Sequence, residues 1–182
     1  MQRTRIIVGF IVLLTAAMAA GQQTPIPLIE AVQDDDQERI QALLGQSSNV
    51  NESAADGTTA LHWAAHQNNE VVVSQLLEAG AAVDVASRYG ITPLTLAATN
   101  GTPTLIRTLL EAGANANHTS GEGETLLMTA TRTGVVAAIE LLLEHGAEVD
   151  ASEDWRGQTA LMWAAAQNQA AAAAALIGGD AE

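Results

Sequence analysis

Between Glu70 and Ala79 the apolar residues Val72, Val73, Leu76 and Leu77 form a stripe at helical spacing. Gly80 ends that stretch, since glycine tolerates the left-handed backbone found just past a helix end. Upstream, Leu61, Trp63, Ala64 and Ala65 mark a shorter helix within 59–68, and the hydroxyl of Thr59 is placed to cap it. Downstream, Val83 and Val85 alternate with polar neighbours, an extended pattern, before Tyr89-Gly90 turns the chain into Thr92. One unit therefore reads as two short antiparallel helices followed by an outward, hairpin-like loop.

The unit recurs. Thr59, Thr92, Thr125 and Thr159 open related phrases and are separated by 33, 33 and 34 residues. Leu76-Leu77 returns as Leu109-Leu110 and Leu142-Leu143, and Gly80-Ala81 as Gly113-Ala114 and Gly146-Ala147. Pro93 falls at a first helical position, where a missing N–H costs little. The extra residue of the last interval lies in the 147–158 loop. A weaker unit precedes Thr59: Ile26-Pro27-Leu28-Ile29, then Leu43-Leu44, then Val50-Asn51, with Ser47 in place of glycine and an acidic loop at Asp34-Asp35-Asp36. Self-similarity at this period means a stack of like units whose terminal members are atypical. The spans are 26–58, 59–91, 92–124, 125–158 and a partial 159–182. Ala170 to Ala175 favour helix but offer no polar outer face, so the last unit is a poor cap and the chain is expected to be a fragment of a longer array.

Several phrases in this chain are specific. They are Thr-Ala-Leu-His-Trp-Ala-Ala (59–65), Thr-Pro-Leu-Thr-Leu-Ala-Ala (92–98), Leu-Leu-Glu-Ala-Gly-Ala (76–81 and 109–114) and Thr-Ala-Leu-Met-Trp-Ala-Ala (159–165). From about Ile26 to its end the chain resembles ankyrin-repeat proteins, although the unit at 125–131 departs to Thr-Leu-Leu-Met-Thr-Ala-Thr. The resemblance implies an all-α repeat solenoid of helix-turn-helix units with hairpin loops, about four full repeats and an incomplete fifth. It also implies that partners are met on the loop tips and on the exposed side of the first helices. Carried onto this sequence, that surface holds Asp56, Arg88, Tyr89, Ile91, Glu122, Glu124, Arg132, Trp155 and Arg156, the candidate partner-binding residues. Ala55, Thr58, His66, Thr99, Asn100, Thr133 and Gln158 lie around them. Trp63 and Trp163 share one position in their units, with Leu96 between them, which argues for packing between units. Trp155 sits instead in a loop beside Arg156, and an aromatic next to Arg on an exposed tip has the character of a binding hot spot. The alternative is that it folds back over neighbouring loops.

Composition narrows the partner. The chain is 48% hydrophobic but only 3% aromatic, so its core is built from Ala, Leu, Val and Ile. Twenty-one acids face seven Arg and no Lys, a net charge of −14, which disfavours nucleic acid and anionic membranes. The N-terminus reads as a signal peptide at 1–21, followed by a linker at 22–25. Arg3 and Arg5 precede the apolar run Ile6 to Ala17, and Ala17-Met18-Ala19 fits a cleavage site. The run is short for a membrane span, leaving an uncleaved anchor as the alternative. Export to a periplasm or the cell exterior is expected. Without this segment the balance is five Arg against 21 acids, or −16. No cysteine is present, so neither a lipid-attachment thiol nor a disulfide framework exists.

Candidate chemistry is sparse. His62 and His66 have zinc-ligand spacing on a helix, but no Glu follows His62 and no carboxylate lies within the helix. The resemblance instead has His62 hydrogen-bonding the turn near Thr59. Gly121-Glu122-Gly123-Glu124 would repel phosphate and lacks the Lys of a phosphate loop, and Asp34-Asp35-Asp36 lacks calcium-loop spacing. No catalytic, cofactor or metal residue is assigned. Three Asn-x-Ser/Thr triplets, at Asn51, Asn100 and Asn117, matter only in a eukaryotic secretory route. The expected function is a non-enzymatic, monomeric module that presents its concave face to a protein partner after export. The alternatives are an accessory segment of a longer enzyme or effector, and a stabilising accessory of one exported enzyme.

Overall fold

A computed structural model describes residues 26–46 and 49–179. The expected signal peptide and linker, and Ser47, lie outside the described residues. Ten helices occur among those described: α1 (Pro27–Gln33), α2 (Gln37–Gly45), α3 (Ala60–His66), α4 (Glu70–Glu78), α5 (Pro93–Asn100), α6 (Pro103–Glu111), α7 (Leu126–Thr133), α8 (Val136–Glu144), α9 (Ala160–Ala166) and α10 (Ala170–Gly178). They pair as α1–α2 through α9–α10, and each pair packs on the next. The odd-numbered helices stack as one layer and the even-numbered ones as the layer behind. The unit expected to be incomplete, 159–182, supplies both of its helices.

One column of residues explains the close stacking. Ala31, Ala64, Ala97, Ala130 and Ala164 occupy the same place on successive inner helices, and every one is 0% exposed. A methyl group is all that fits where these helices meet. Bulkier chains flank the column: Leu28, Leu61, Leu94 and Leu127 on the inner helices, with Ile40, Val73, Ile106 and Ile139 on the outer ones, all buried. At the fifth unit the pattern opens. Leu161 is 37% exposed where Leu127 is 1%, and Met162 and Ile177 are exposed with it.

The spaced threonines cap helices, with one substitution of partner. Thr92, Thr125 and Thr159 accept the N–H three residues on, from Thr95, Met128 and Met162. The Thr59 hydroxyl instead meets the ring of His62. The tight turn inside each helix pair needs a left-handed residue, and the chain supplies Asp35, Asn68, Gly101, Gly134 and Asn168 there, all with φ between 54° and 71°. The extended loop segments form isolated antiparallel bridges, Ser53 with Thr59, Thr119 with Thr125 and Ser152 with Thr159.

Units are joined by side chains as well as by packing. Asn51 donates its amide to the Gly80 carbonyl (3.1 Å) and accepts the Ala82 N–H (2.7 Å). Asn117 repeats both bonds two interfaces along, to Gly146 and from Glu148, each at 2.8 Å. Asp84, with no amide to donate, keeps only the accepting half, from Asn115 N–H at 2.9 Å. The Asn100 amide donates to the carbonyls of Ala65 and His66 and to Asn68 Oδ1. All three asparagines of the Asn-x-Ser/Thr triplets are thus already committed to joining units.

Candidate functional site

The loops close into a row of tips. Ala54 N–H bonds to the Thr58 carbonyl, Ser87 to Ile91 and Ser120 to Glu124, each pair four residues apart, while Glu153 reaches Gln158 across five. The inserted residue therefore lies in the last tip. That longer turn is filled by its own first side chain. The Glu153 carboxylate, only 7% exposed, accepts the N–H groups of Trp155, Arg156 and Gln158. Burial works against its charge, yet those N–H groups, with the Arg156 charge behind them, hold the carboxyl below the usual carboxylate range. The effect is to stand Trp155 outward, 76% exposed, with the Arg156 guanidinium carbon 3.9 Å from its ring centre. Trp155 does not fold back over its neighbours.

Successive tips bond to one another. Arg88 N–H donates to the Asp56 carbonyl and its guanidinium to the Ala55 carbonyl, both at 2.6 Å. His118 Nε2–H donates to the Gly90 carbonyl (2.7 Å), and Asp154 N–H to that of Glu122 (3.2 Å). A Cβ on Gly123 would lie 2.9 Å from the Asp154 side chain, so glycine is needed both for its φ of +75° and for this approach.

His62 ties the first of these tips to its helix. Its Nε2 lies 3.0 Å from the Ile91 carbonyl, which can only accept, so the proton is on Nε2. Nδ1 then accepts both the N–H (3.1 Å) and the hydroxyl (2.8 Å) of Thr59. With both nitrogens committed, His62 is no metal ligand. Burial pushes its pKa below the ordinary value, and the Ile91 and Val85 backbone groups and the Asp56 charge only partly oppose this.

Between tips and inner helices runs a groove. A hollow of about 250 Å³ between the second and third units is lined by Thr58, His62, Trp63, His66, Ser87, Tyr89, Ile91 and Leu96. Ile91 is also a wall of the next hollow, about 120 Å³, where the side chains of Thr95, Thr99, His118, Ser120, Glu124, Thr129 and Arg132 join Leu126 and present mainly their apolar parts. A third depression, about 480 Å³, lies at the tips of the third and fourth units between Gly121, Glu122, Asp154 and Trp155.

The nine candidate residues divide on this surface. Tyr89 (70% exposed), Ile91, Glu122, Glu124, Arg132 and Trp155 line hollows. Much of the bonding capacity of the charged candidates is used internally. Asp56 accepts the Thr58 N–H, and bonds from the Thr58 backbone and hydroxyl hold it below its ordinary pKa. Arg88 is bonded to the neighbouring tip. Glu124 pairs with Arg132 at 3.1 Å and also accepts the Thr129 hydroxyl. Arg156 is stacked on Trp155. Turn closure and tip-to-tip bonding compete for the same groups a partner would use. Sequence reasoning missed Leu96, Thr95 and His118 as lining residues and read Trp63 only as packing. Trp63 does pack on the core, half-buried, but its other side faces the groove. The signal was present in that column, which reads Trp63, Leu96, Thr129 and Trp163: a position required only for packing would not vary from indole to hydroxyl.

Two overlapping matches to the family described as ankyrin repeats, in three copies, cover residues 28–120 and 96–182. The chain belongs to the ankyrin-repeat family. Repeats of this family are generally protein–protein interaction modules. No curated protein matches the chain. Among the described residues of this ankyrin-repeat protein, no helix is long and apolar enough to cross a membrane.

Proposed function

We propose that this ankyrin-repeat protein is a non-enzymatic binding module, exported by its N-terminal segment to a periplasm or the cell exterior, where as a monomer it presents the inner groove to a protein partner. The observation that carries the reading is the apolar hollow between the second and third units. Tyr89, Trp63, Ile91 and Leu96 leave apolar surface facing solvent there, whereas the columns of Leu61, Ala64, Val73 and Leu76 and their counterparts in the internal units are buried. Such surface on an otherwise charged molecule marks an interaction site. Trp155 adds a second exposed aromatic in the same row of tips.

The test is capture from the exported fraction of the source cells on immobilised protein lacking residues 1–21. Tyr89→Ala combined with Trp155→Ala should abolish capture, and Arg107→Ala, on the exposed face of an outer helix, should leave it unchanged. Equal capture by the double variant would refute the assignment of this surface.

A further inference from the structure

Resting on that reading, we propose that the occupant of the groove is an extended, basic polypeptide segment that places one bulky apolar side chain in the hollow between the second and third units. The hollow of about 250 Å³ lies below the ~300–1,000 Å³ of small-molecule pockets and is open along the stack, which suits a side chain on a continuing chain. Its walls are Trp63, Tyr89, Ile91 and Leu96, so the anchor is Leu, Ile, Met or Phe.

The next hollow shares the Ile91 wall, is smaller, and is ringed by hydroxyls with the Glu124–Arg132 pair. It takes a small residue. Stacked helices are ~8–10 Å apart and an extended chain advances ~3.3 Å per residue, so neighbouring hollows are served by side chains about three positions apart. At the tips of the same two units, the third and fourth, lie the carboxylates of Glu122 and Asp154, which form no ion pair among the described residues. On a chain of net charge −14 without a lysine, the cation that answers them has to come from the partner. The recognition pattern is an apolar anchor and, about three positions on, a small residue with Lys or Arg beside it, read along the stack from the second unit to the fourth.

A random-peptide display selection on the folded protein tests this. Enriched peptides should carry a bulky apolar residue and a Lys or Arg about three to four positions apart, in one consistent chain direction. A fluorescein-labelled copy of the most enriched peptide should bind at least tenfold more weakly to Tyr89→Ala and to His66→Ala, both exposed positions whose circular dichroism spectra should match the parent. It should also bind more weakly when its cation is changed to Glu. Acidic peptides, peptides retained by both variants, or no enrichment at all would each overturn the proposal. Capture of a partner that is lost in the Tyr89/Trp155 double variant would then still uphold the interaction function, with a folded surface in place of a peptide as occupant.

Discussion

His62 offers the sharpest quantitative test of how this stack is held. Replacing it with Ala removes the acceptor for Thr59 N–H and the donor for the Ile91 carbonyl, and opens a void where a 2% exposed imidazole had been. Each buried polar group left unmet costs ~1–3 kcal/mol, and the void adds to that, so His62→Ala should lose about 3–5 kcal/mol. That is a large share of the ~5–15 kcal/mol available to a typical domain. The third unit supplies the control, because Thr95 stands where His62 does and its hydroxyl meets Thr92 N–H (3.4 Å) and the Thr92 hydroxyl (2.9 Å). His62→Thr keeps the local bond and loses only the reach to Ile91, so it should cost about 1–2 kcal/mol less than Ala. Urea unfolding followed by far-ultraviolet circular dichroism measures both. The pH dependence has a definite sign. Folded His62 holds its proton less tightly than the unfolded residue, so the unfolded chain binds more protons in the interval below the ordinary value of 6.5. Stability should rise as pH increases through that interval toward 6.5, and this component should vanish in both variants. A loss under about 1 kcal/mol for Ala, or equal losses for Ala and Thr, would refute the three-bond account of His62.

Other perturbations isolate other parts of the stack. Thr125→Ala removes the cap on Met128 N–H and should cost about 1 kcal/mol in the same urea assay. Asn117→Ala loses both bonds across the third interface and should cost about 1–2 kcal/mol, with faster amide exchange at Glu148. Ala97→Leu inserts bulk into the alanine column, so it should destabilise by at least about 1–3 kcal/mol and broaden the unfolding transition as neighbouring units uncouple. Glu153→Ala leaves three tip N–H groups without their carboxylate and should lower the fluorescence anisotropy of Trp155, measured with Trp63 and Trp163 replaced by Phe. Acidifying the parent should give the same change only below the usual Glu range near 4.5, because the folded carboxyl is held below it.

The surface was only partly legible in the chain. The tips were locatable by period, and Tyr89 and Trp155 are exposed where an irregular aromatic in a loop was expected. The charged candidates were not legible in the same way. Whether Asp56, Arg88, Glu124 and Arg132 face solvent or one another depends on groups 2 to 33 residues away: the Thr58 N–H, the Ala55 carbonyl and the Glu124–Arg132 pair. The groove itself is a relation between a tip and the next inner helix, so Trp63, Tyr89 and Leu96 meet across two units although nothing local joins them.

What the sequence determined by itself is everything with a local cause. Threonine caps, prolines at first helical positions, left-handed Asn and Gly, and the alanine column each repeat because one unit's geometry demands them again every 33 residues. The tertiary structure decided which side chains are left over. The inserted residue's turn is closed by Glu153, three Asn are spent joining units, and His62 spans to Ile91. Such long-range pairings come from stacking, and stacking alone fixes which polar groups are satisfied and which apolar surface stays open to a partner.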